Sequence, residues 1–396
     1  MNRFDDVCFP LAAAWSSPFA RWQGPAAEVN SLRLAESAAR AGLERSRVEW
    51  PVDELILGMT VPQAESFYGP PTLAARLGFE GVSGPWIAQA CATSVSCLHA
   101  AAASQQGEPD AVRLVITADR LSNSPQLIWP APSRPGGAPD QEHWTLDNFA
   151  RDPWAGEAMV RTAELVAREA GFTKEQVDEV TALRYAQYAD ALADDRAFQR
   201  RFMVAVDVGS RRRPASLDED DGVRPTALED LQGLAPVEEG GVVSYGTQTH
   251  PADGTAGFVV TSPGHARSLG VEGPLVEILA TAFARVEKAR MPKAPVPAAQ
   301  RALDAAGLTL REIDAVKTHN PFGVNDLWFT RETGADLAKM NAYGCSLVYG
   351  HPQGPTGQRG IIELAHELAE RGGGVGLFTG CAAGDTGAAV VLRVAE

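Results

Sequence analysis

Cys91 stands in Gln89-Ala90-Cys91-Ala92-Thr93-Ser94, at the entry to a stretch of small residues that reads as a helix. Far along the chain, His351 sits in Gly350-His351-Pro352, and Cys381 follows in Gly380-Cys381-Ala382-Ala383-Gly384. A thiol, an imidazole and a second thiol are the parts that acyl transfer through a thioester requires. The first thiol serves as nucleophile, the imidazole as its base, and the second thiol as proton carrier for a leaving or attacking carbon. At a helix N-terminus Cys91 meets the positive end of the dipole, which is expected to favour its thiolate. A buried, inert cysteine is the competing reading, and it is the one expected for Cys97. His351 is held among Gly350, Pro352, Gln353, Gly354, Pro355 and Gly357, a turn-rich stretch that fixes its place; both a base and a structural turn histidine remain open. The glycine-rich loop after Cys381 has backbone N–H groups able to converge on an oxyanion.

These groups need a scaffold, and the chain has the means for one. With 396 residues, 45% of them hydrophobic and 21% charged, it can bury a large core in one or two fused domains. The formal charge of −15 disfavours a nucleic-acid partner. No apolar run reaches a membrane span, and Met1-Asn2-Arg3-Phe4-Asp5-Asp6 lacks a leader's basic start, so a cytoplasmic protein with no membrane partner is expected. Five cysteines without CxxC spacing argue against both a disulfide framework and a metal site. Against the acidic background, Arg200, Arg201, Arg211, Arg212, Arg213 and Arg224 form a basic cluster. It reads either as a solvated loop or as a docking patch for a polyanion such as the phosphates of coenzyme A.

Apolar runs at 54–58, 113–117, 257–261, 375–378 and 388–392 read as buried strands. Helical patterns cover 31–41, 91–104, 157–170, 174–194, 296–306 and 360–371, with Thr173-Lys174-Glu175-Gln176 forming a capped entry. Their alternation places the chain in the α/β class. The stretches 125–154 and 208–224 look like excursions from the scaffold.

The chain resembles the thiolases nearly end to end. Cys91-Ala92-Thr93-Ser94 stands where that family has its nucleophile. Asn341-Ala342-Tyr343-Gly344 with Gly350-His351-Pro352-Gln353-Gly354-Pro355-Thr356-Gly357 is similar to its Gly-His-Pro motif, and Cys381, Gly384 and Gly387 to its second-cysteine loop. Weaker echoes are Ser122-Asn123-Ser124-Pro125, Met159 to Glu164, and Ser244-Tyr245-Gly246 with Asp253-Gly254. His319-Asn320-Pro321-Phe322-Gly323 takes the place of Asn-Glu-Ala-Phe-Ala; histidine occurs there in sterol-carrier-type thiolases and in thiolases of the fatty-acid oxidation complex. Ala383 and Asp385 stand where the family prefers glycine, and Ala158 where it often has histidine. An alanine at 383 keeps the needed N–H but does not readily take positive φ.

The resemblance implies a thiolase fold, two similar βαβαβαββ halves in a five-layer αβαβα arrangement with an inserted loop domain. The N-terminal half would span 1–265, including a loop domain at about 120–250, and the C-terminal half 266–396. It implies Cys91, His351, Cys381 and His319 as catalytic residues, His319 and the Ala383 N–H as an oxyanion hole, and Arg224, Thr247, Thr249 and Phe322 as coenzyme A contacts. The implied activity is thiolytic cleavage of a 3-ketoacyl-CoA, or the reverse condensation, through an acyl-cysteine. Coenzyme A is then co-substrate, no cofactor is permanently bound, and a homodimer or homotetramer forms. Trp129, Trp144 and Trp154 would line an acyl pocket or pack the loop. Two alternatives stand beside this: another CoA-thioester enzyme of the same fold (a condensing synthase or a retro-aldolase), and a weakly catalytic acyl-CoA-binding subunit working with a small partner protein.

Overall fold

The computed structural model describes residues 2–210 and 212–395. Two mixed sheets carry the fold. In the first the strand order is Ala14–Ser16, Ala252–Val260, Arg113–Arg120, Glu54–Gly58, Trp86–Ile87, with Ala20–Arg21 also on Ala252–Val260. In the second it is Asn2–Arg3, Leu275–Arg285, Thr386–Val394, Gly374–Ala382, Ala315–His319, with Cys8–Pro10 also on Leu275–Arg285. The sheets repeat one plan: an antiparallel pair (113–120 with 252–260; 374–382 with 386–394) followed by a parallel neighbour (54–58; 315–319). The plan differs at one connection. In the second sheet a tight loop joins Ala382 to Thr386, whereas in the first the chain leaves at Arg120 and returns only at Ala252.

Helix Ser31–Ser46 covers the outer face of the first sheet and Pro295–Ala306 that of the second. Between the sheets lie Thr93–Gln105 and Gly354–Glu370, packed on each other. Residues Gly354 to Leu368 are all buried, as a central layer demands. The helices approach closely because their contact is made of small residues: a Cβ on Gly357 would stand 3.2 Å from Ser94 Cβ. The charges this middle layer carries are paired. Arg359 binds Glu363 at 2.9 Å and Asp220 at 2.6 Å, and Lys317 reaches Glu363 at 2.8 Å, so two buried cations meet two buried anions.

The five sequence-read strands are present, Glu54–Gly58 to the residue and the others longer. The entry at Thr173 is a capping box, with Thr173 and Gln176 bonding each other's backbone. Three helix starts need correction, the one expected from Glu157 beginning at Met159. The helix expected from Cys91 begins at Thr93 and leaves the cysteine in the preceding turn. The one expected from Gly360 begins at Gly354, with Pro355 in its first turn where a missing N–H costs nothing. Among the described residues no helix is long and apolar enough to cross a membrane.

Candidate active site

Both central helices point their N-termini at one place, and each brings a reactive side chain. Before Thr93–Gln105, the Thr93 hydroxyl donates to Ala90 O at 2.7 Å and accepts from Gln89 N at 2.8 Å. This clasp holds Ala90 at φ 45° and sets Cys91 in a tight turn. Before Gly354–Glu370, Gly350 takes φ 94° and His351 N donates to His250 O at 2.9 Å, pinning the histidine to the segment that leads into strand Ala252–Val260. His351 Nε2 then lies 3.0 Å from Cys91 Sγ, and its Nδ1 lies 2.6 Å from Thr356 Oγ1. With Nδ1–H donating to that hydroxyl, Nε2 keeps its lone pair toward the thiol.

The second sheet supplies the rest. Its register sets His319 beside Gly380, next to Cys381. Only glycine fits at 380, since a Cβ there would come within 2.7 Å of His319 Cβ. The His319 ring stacks on that of His351 with centroids 4.1 Å apart. His319 Nδ1 meets Ser346 Oγ at 2.8 Å, and Nε2 is buried with no partner. Asn325 Nδ2 donates to Cys381 Sγ at 3.2 Å. The Ala383 backbone N–H faces the Cys91 sulfur, and Ala383 achieves this outside the left-handed region. Asp385 does take φ 59°, where glycine would be usual; its carboxylate accepts from Ala289 N and Arg290 N, both at 2.9 Å, which holds it there. The altered loop is therefore a built turn.

Burial governs the acid–base balance. It pushes the Cys91 thiol up to about 12, with the Ala383 N–H pulling the other way. The thiolate expected from helix-end placement is thus not the resting form: the cysteine lies ahead of the helix, and desolvation outweighs the dipole. Burial also drives His351 well below its ordinary value and His319 to about 3, and it raises Cys381 well above the usual thiol range, Asn325 opposing. At rest the cluster is neutral. Asp119, pushed up to about 7 by burial and drawn back by its donors, accepts from Gly354 N at 2.9 Å and ties the His351 helix to the first sheet.

Of the residues expected to contact coenzyme A, three belong to this region. Thr249 N donates to Pro321 O at 2.7 Å and Gly323 N to Thr247 O at 3.1 Å, which stitches 247–249 to the His319 loop. Both hydroxyls are engaged internally: Thr247 is buried with its hydroxyl 2.9 Å from Ser244 N, and Thr249 donates to Ser346 O at 2.5 Å. Phe322 packs against Cys381 in an apolar cluster. Arg224 is exposed, and the structure does not tie it to these loops. Arg200 pairs with Asp195, and Arg201 with Glu370 at 2.7 Å, so carboxylates already neutralise two of the arginine cluster; Arg211 lies outside the described residues. Trp129 and Trp154 are 48% and 55% exposed, with Arg285 over Trp154 at 4.9 Å, so neither lines an enclosed pocket. Trp144 is partly buried and donates to Thr60 O at 2.8 Å.

Sequence reading missed Ser346 and Asn325 and gave Thr356 no role. Asn325 is the third residue of helix Gly323–Thr333, accepting from Phe322 N at 3.3 Å. A helix-entry asparagine was a faint signal there, with no Ser or Thr cap before it.

Comparison with known proteins finds similarity over nearly the whole chain. The family model "Thiolase, N-terminal domain" matches residues 11–263, and "Thiolase, C-terminal domain" matches residues 272–394. The chain is 30% identical over 393 residues to an acetyl-CoA acetyltransferase of Escherichia coli, covering 97% of this chain and 98% of that protein. It is 29% identical over 392 residues to a 3-oxoadipyl-CoA/3-oxo-5,6-dehydrosuberyl-CoA thiolase of the same organism, covering 95% and 97%. The crystal structure of human mitochondrial 3-ketoacyl-CoA thiolase in complex with CoA superposes with a TM-score of 0.90 at 24% identity, covering 99% of this chain and 98% of that one, a likeness of fold.

Proposed function

The chain belongs to the thiolase family of acyltransferases, and on that premise we propose that it cleaves a 3-ketoacyl-CoA with coenzyme A, or runs the reverse condensation, through an acyl-Cys91 intermediate. The observation that carries this reading is the 3.0 Å approach of His351 Nε2 to Cys91 Sγ. His351 takes the thiol proton as sulfur attacks the 3-keto carbon. A neutral pair suits this, because in a poorly solvated site the proton moves only as negative charge passes on to the substrate. Carbonyl oxygen becomes an oxyanion, which the His319 Nε2–H and the Ala383 N–H would stabilise. With Ser346 donating to His319 Nδ1, Nε2 carries the proton and is the free buried donor. The C2–C3 bond then breaks, and Cys381 gives its proton to the departing acetyl-CoA enolate. In the second half-reaction the Cys381 thiolate takes the proton of incoming coenzyme A, whose sulfur displaces Cys91 from the acyl group, and Cys91 recovers its proton from His351. Asn325 steadies Cys381 while it is an anion.

With this reading go coenzyme A as co-substrate and a homodimer or homotetramer. Purified protein should consume acetoacetyl-CoA or a longer 3-ketoacyl-CoA only when free coenzyme A is present, with the parallel double-reciprocal lines of ping-pong kinetics. No cleavage at any chain length, or cleavage independent of coenzyme A, would exclude it.

A further inference from the structure

The Cys91 sulfur and one ring nitrogen each of His319 and His351 lie within 4.8 Å of one another, and no other such group of ligating side chains exists among the described residues. From this convergence we infer that the site is also a high-affinity seat for a thiophilic d¹⁰ cation, Zn²⁺, which blocks the enzyme reversibly. One thiolate and two imidazoles form a donor set that zinc favours, and three protein ligands leave a fourth position for water. Zinc–sulfur bonds of about 2.3 Å and zinc–nitrogen bonds of about 2.0–2.1 Å place tetrahedral donors roughly 3.3–3.6 Å apart. Cys91 Sγ and His351 Nε2 are at 3.0 Å and the widest separation is within 4.8 Å, while the two imidazoles stack with their planes 29° apart, so closing the site around the ion takes shifts on the order of 1 Å together with a turn of one ring out of the stack.

Two further observations point to a cation. His319 is 2% exposed, its Nδ1 is held by Ser346, and its remaining nitrogen is buried without any partner. Each imidazole also has the outer support that orients a metal-bound histidine: Ser346 on His319 Nδ1 and Thr356 on His351 Nδ1, at 2.8 and 2.6 Å. Both hydroxyls can accept from Nδ1–H, which frees the Nε2 lone pairs for the ion; for His319 this is the tautomer opposite to the one that serves the oxyanion, so the ring's proton moves from Nε2 to Nδ1 when the ion binds. Cys91 is partly exposed, so the ion has a route in. Binding replaces the Cys91 S–H bond with a sulfur–zinc bond and releases one proton to solvent, so affinity should rise with pH.

The inference concerns binding and stands whether or not the proposed reaction is correct; only inhibition depends on that reaction. Intact protein, without substrate, is titrated with Zn²⁺ against a chromophoric chelator, and separately with Co²⁺ while its near-ultraviolet absorbance is recorded. One tight ion per chain is expected, with a thiolate-to-cobalt charge-transfer band. Cys91→Ser should abolish the band, and Cys91→Ser and His319→Asn should each weaken Zn²⁺ at least about tenfold, in protein shown by circular dichroism to be folded. Should His319→Asn not fold, the wild-type band and its loss in Cys91→Ser still decide. Absence of tight binding, absence of the band, or a band that persists in Cys91→Ser and disappears in Cys381→Ser would overturn the inference.

Discussion

Thr356→Val removes one oxygen and almost nothing else. The side chain is 2% exposed, and its hydroxyl lies 2.6 Å from His351 Nδ1. In the variant the Nδ1–H loses its acceptor in a place water does not reach, at a cost of about 1–3 kcal/mol. The ring can escape by moving its proton to Nε2, and it then turns an N–H toward Cys91 instead of a lone pair. A reactive tautomer disfavoured by 1–3 kcal/mol corresponds to a loss of roughly 5- to 150-fold in kcat. KM should move little, because Thr356 has no role in the expected coenzyme A contacts. The same orphaned N–H should lower Tm by about 1–4 °C, taking roughly 2.1 cal/mol/K of unfolding entropy per residue over this chain. Two assays read the effect: steady-state thiolysis, and the rate at which iodoacetamide alkylates Cys91, which needs no substrate. Thr356→Ser restores the acceptor and should recover most of both. A Thr356→Val protein whose kcat and alkylation rate stay within about twofold of the parent would refute the claim that this hydroxyl fixes the catalytic tautomer.

Other consequences follow from neighbouring contacts. Asn325→Leu removes the donor 3.2 Å from Cys381 Sγ, so thiolysis should slow by about tenfold or more while acylation of Cys91 by a simple acyl-CoA persists; equal slowing of both half-reactions would contradict the assignment. Gly380→Ala puts a Cβ within 2.7 Å of His319 Cβ and should cost about 1–3 kcal/mol in chemical denaturation, together with most of the activity. His366 is buried, its Nε2 is unpartnered, and burial lowers it to about 3, below the unfolded value near 6.5. The unfolded chain therefore binds the extra proton, and this residue's contribution is intact above pH 6.5 and lost as pH falls toward 3. Relative to His366→Gln, the wild type should lose about 1.4 kcal/mol per pH unit between pH 6 and 4, and parallel pH curves would show that His366 is not held neutral.

The strand Glu54–Gly58 was legible because its apolar run is short, β-rich and buried on both faces. Leu275–Arg285 was not, although it is the longest strand: alanines and a threonine break its apolar run, and alanine is a helix former. Ala315–His319 hides for a different reason. It buries Lys317 and His319, which becomes affordable only once Glu363 and Ser346 arrive from distant segments. The helix at Gly354 was read as a turn because Gly-Pro-Thr-Gly ordinarily is one; here the proline occupies the first helical turn and Gly357 admits Ser94. In the site, Cys91, His351 and Cys381 could be singled out by type and setting, and their convergence rests on the two-sheet repeat that no local window contains. His319 gained a role only through resemblance. Thr356 and Asn325 acquire theirs from which atom they meet. The protonation of Cys91 was misjudged for a similar cause, since the dipole is local information and desolvation is not.

The central claim is that Cys91 carries the acyl group with His351 as its base. The most direct test is to mix intact protein with a 3-ketoacyl-CoA in the absence of free coenzyme A, quench, and map the adduct by mass spectrometry of its peptides. An acyl group on Cys91, discharged on addition of coenzyme A, absent in Cys91→Ser and formed at least about 100-fold more slowly in His351→Ala, is the expected result. An adduct confined to Cys381 or Cys97, or acylation that survives unchanged in Cys91→Ser, would contradict it.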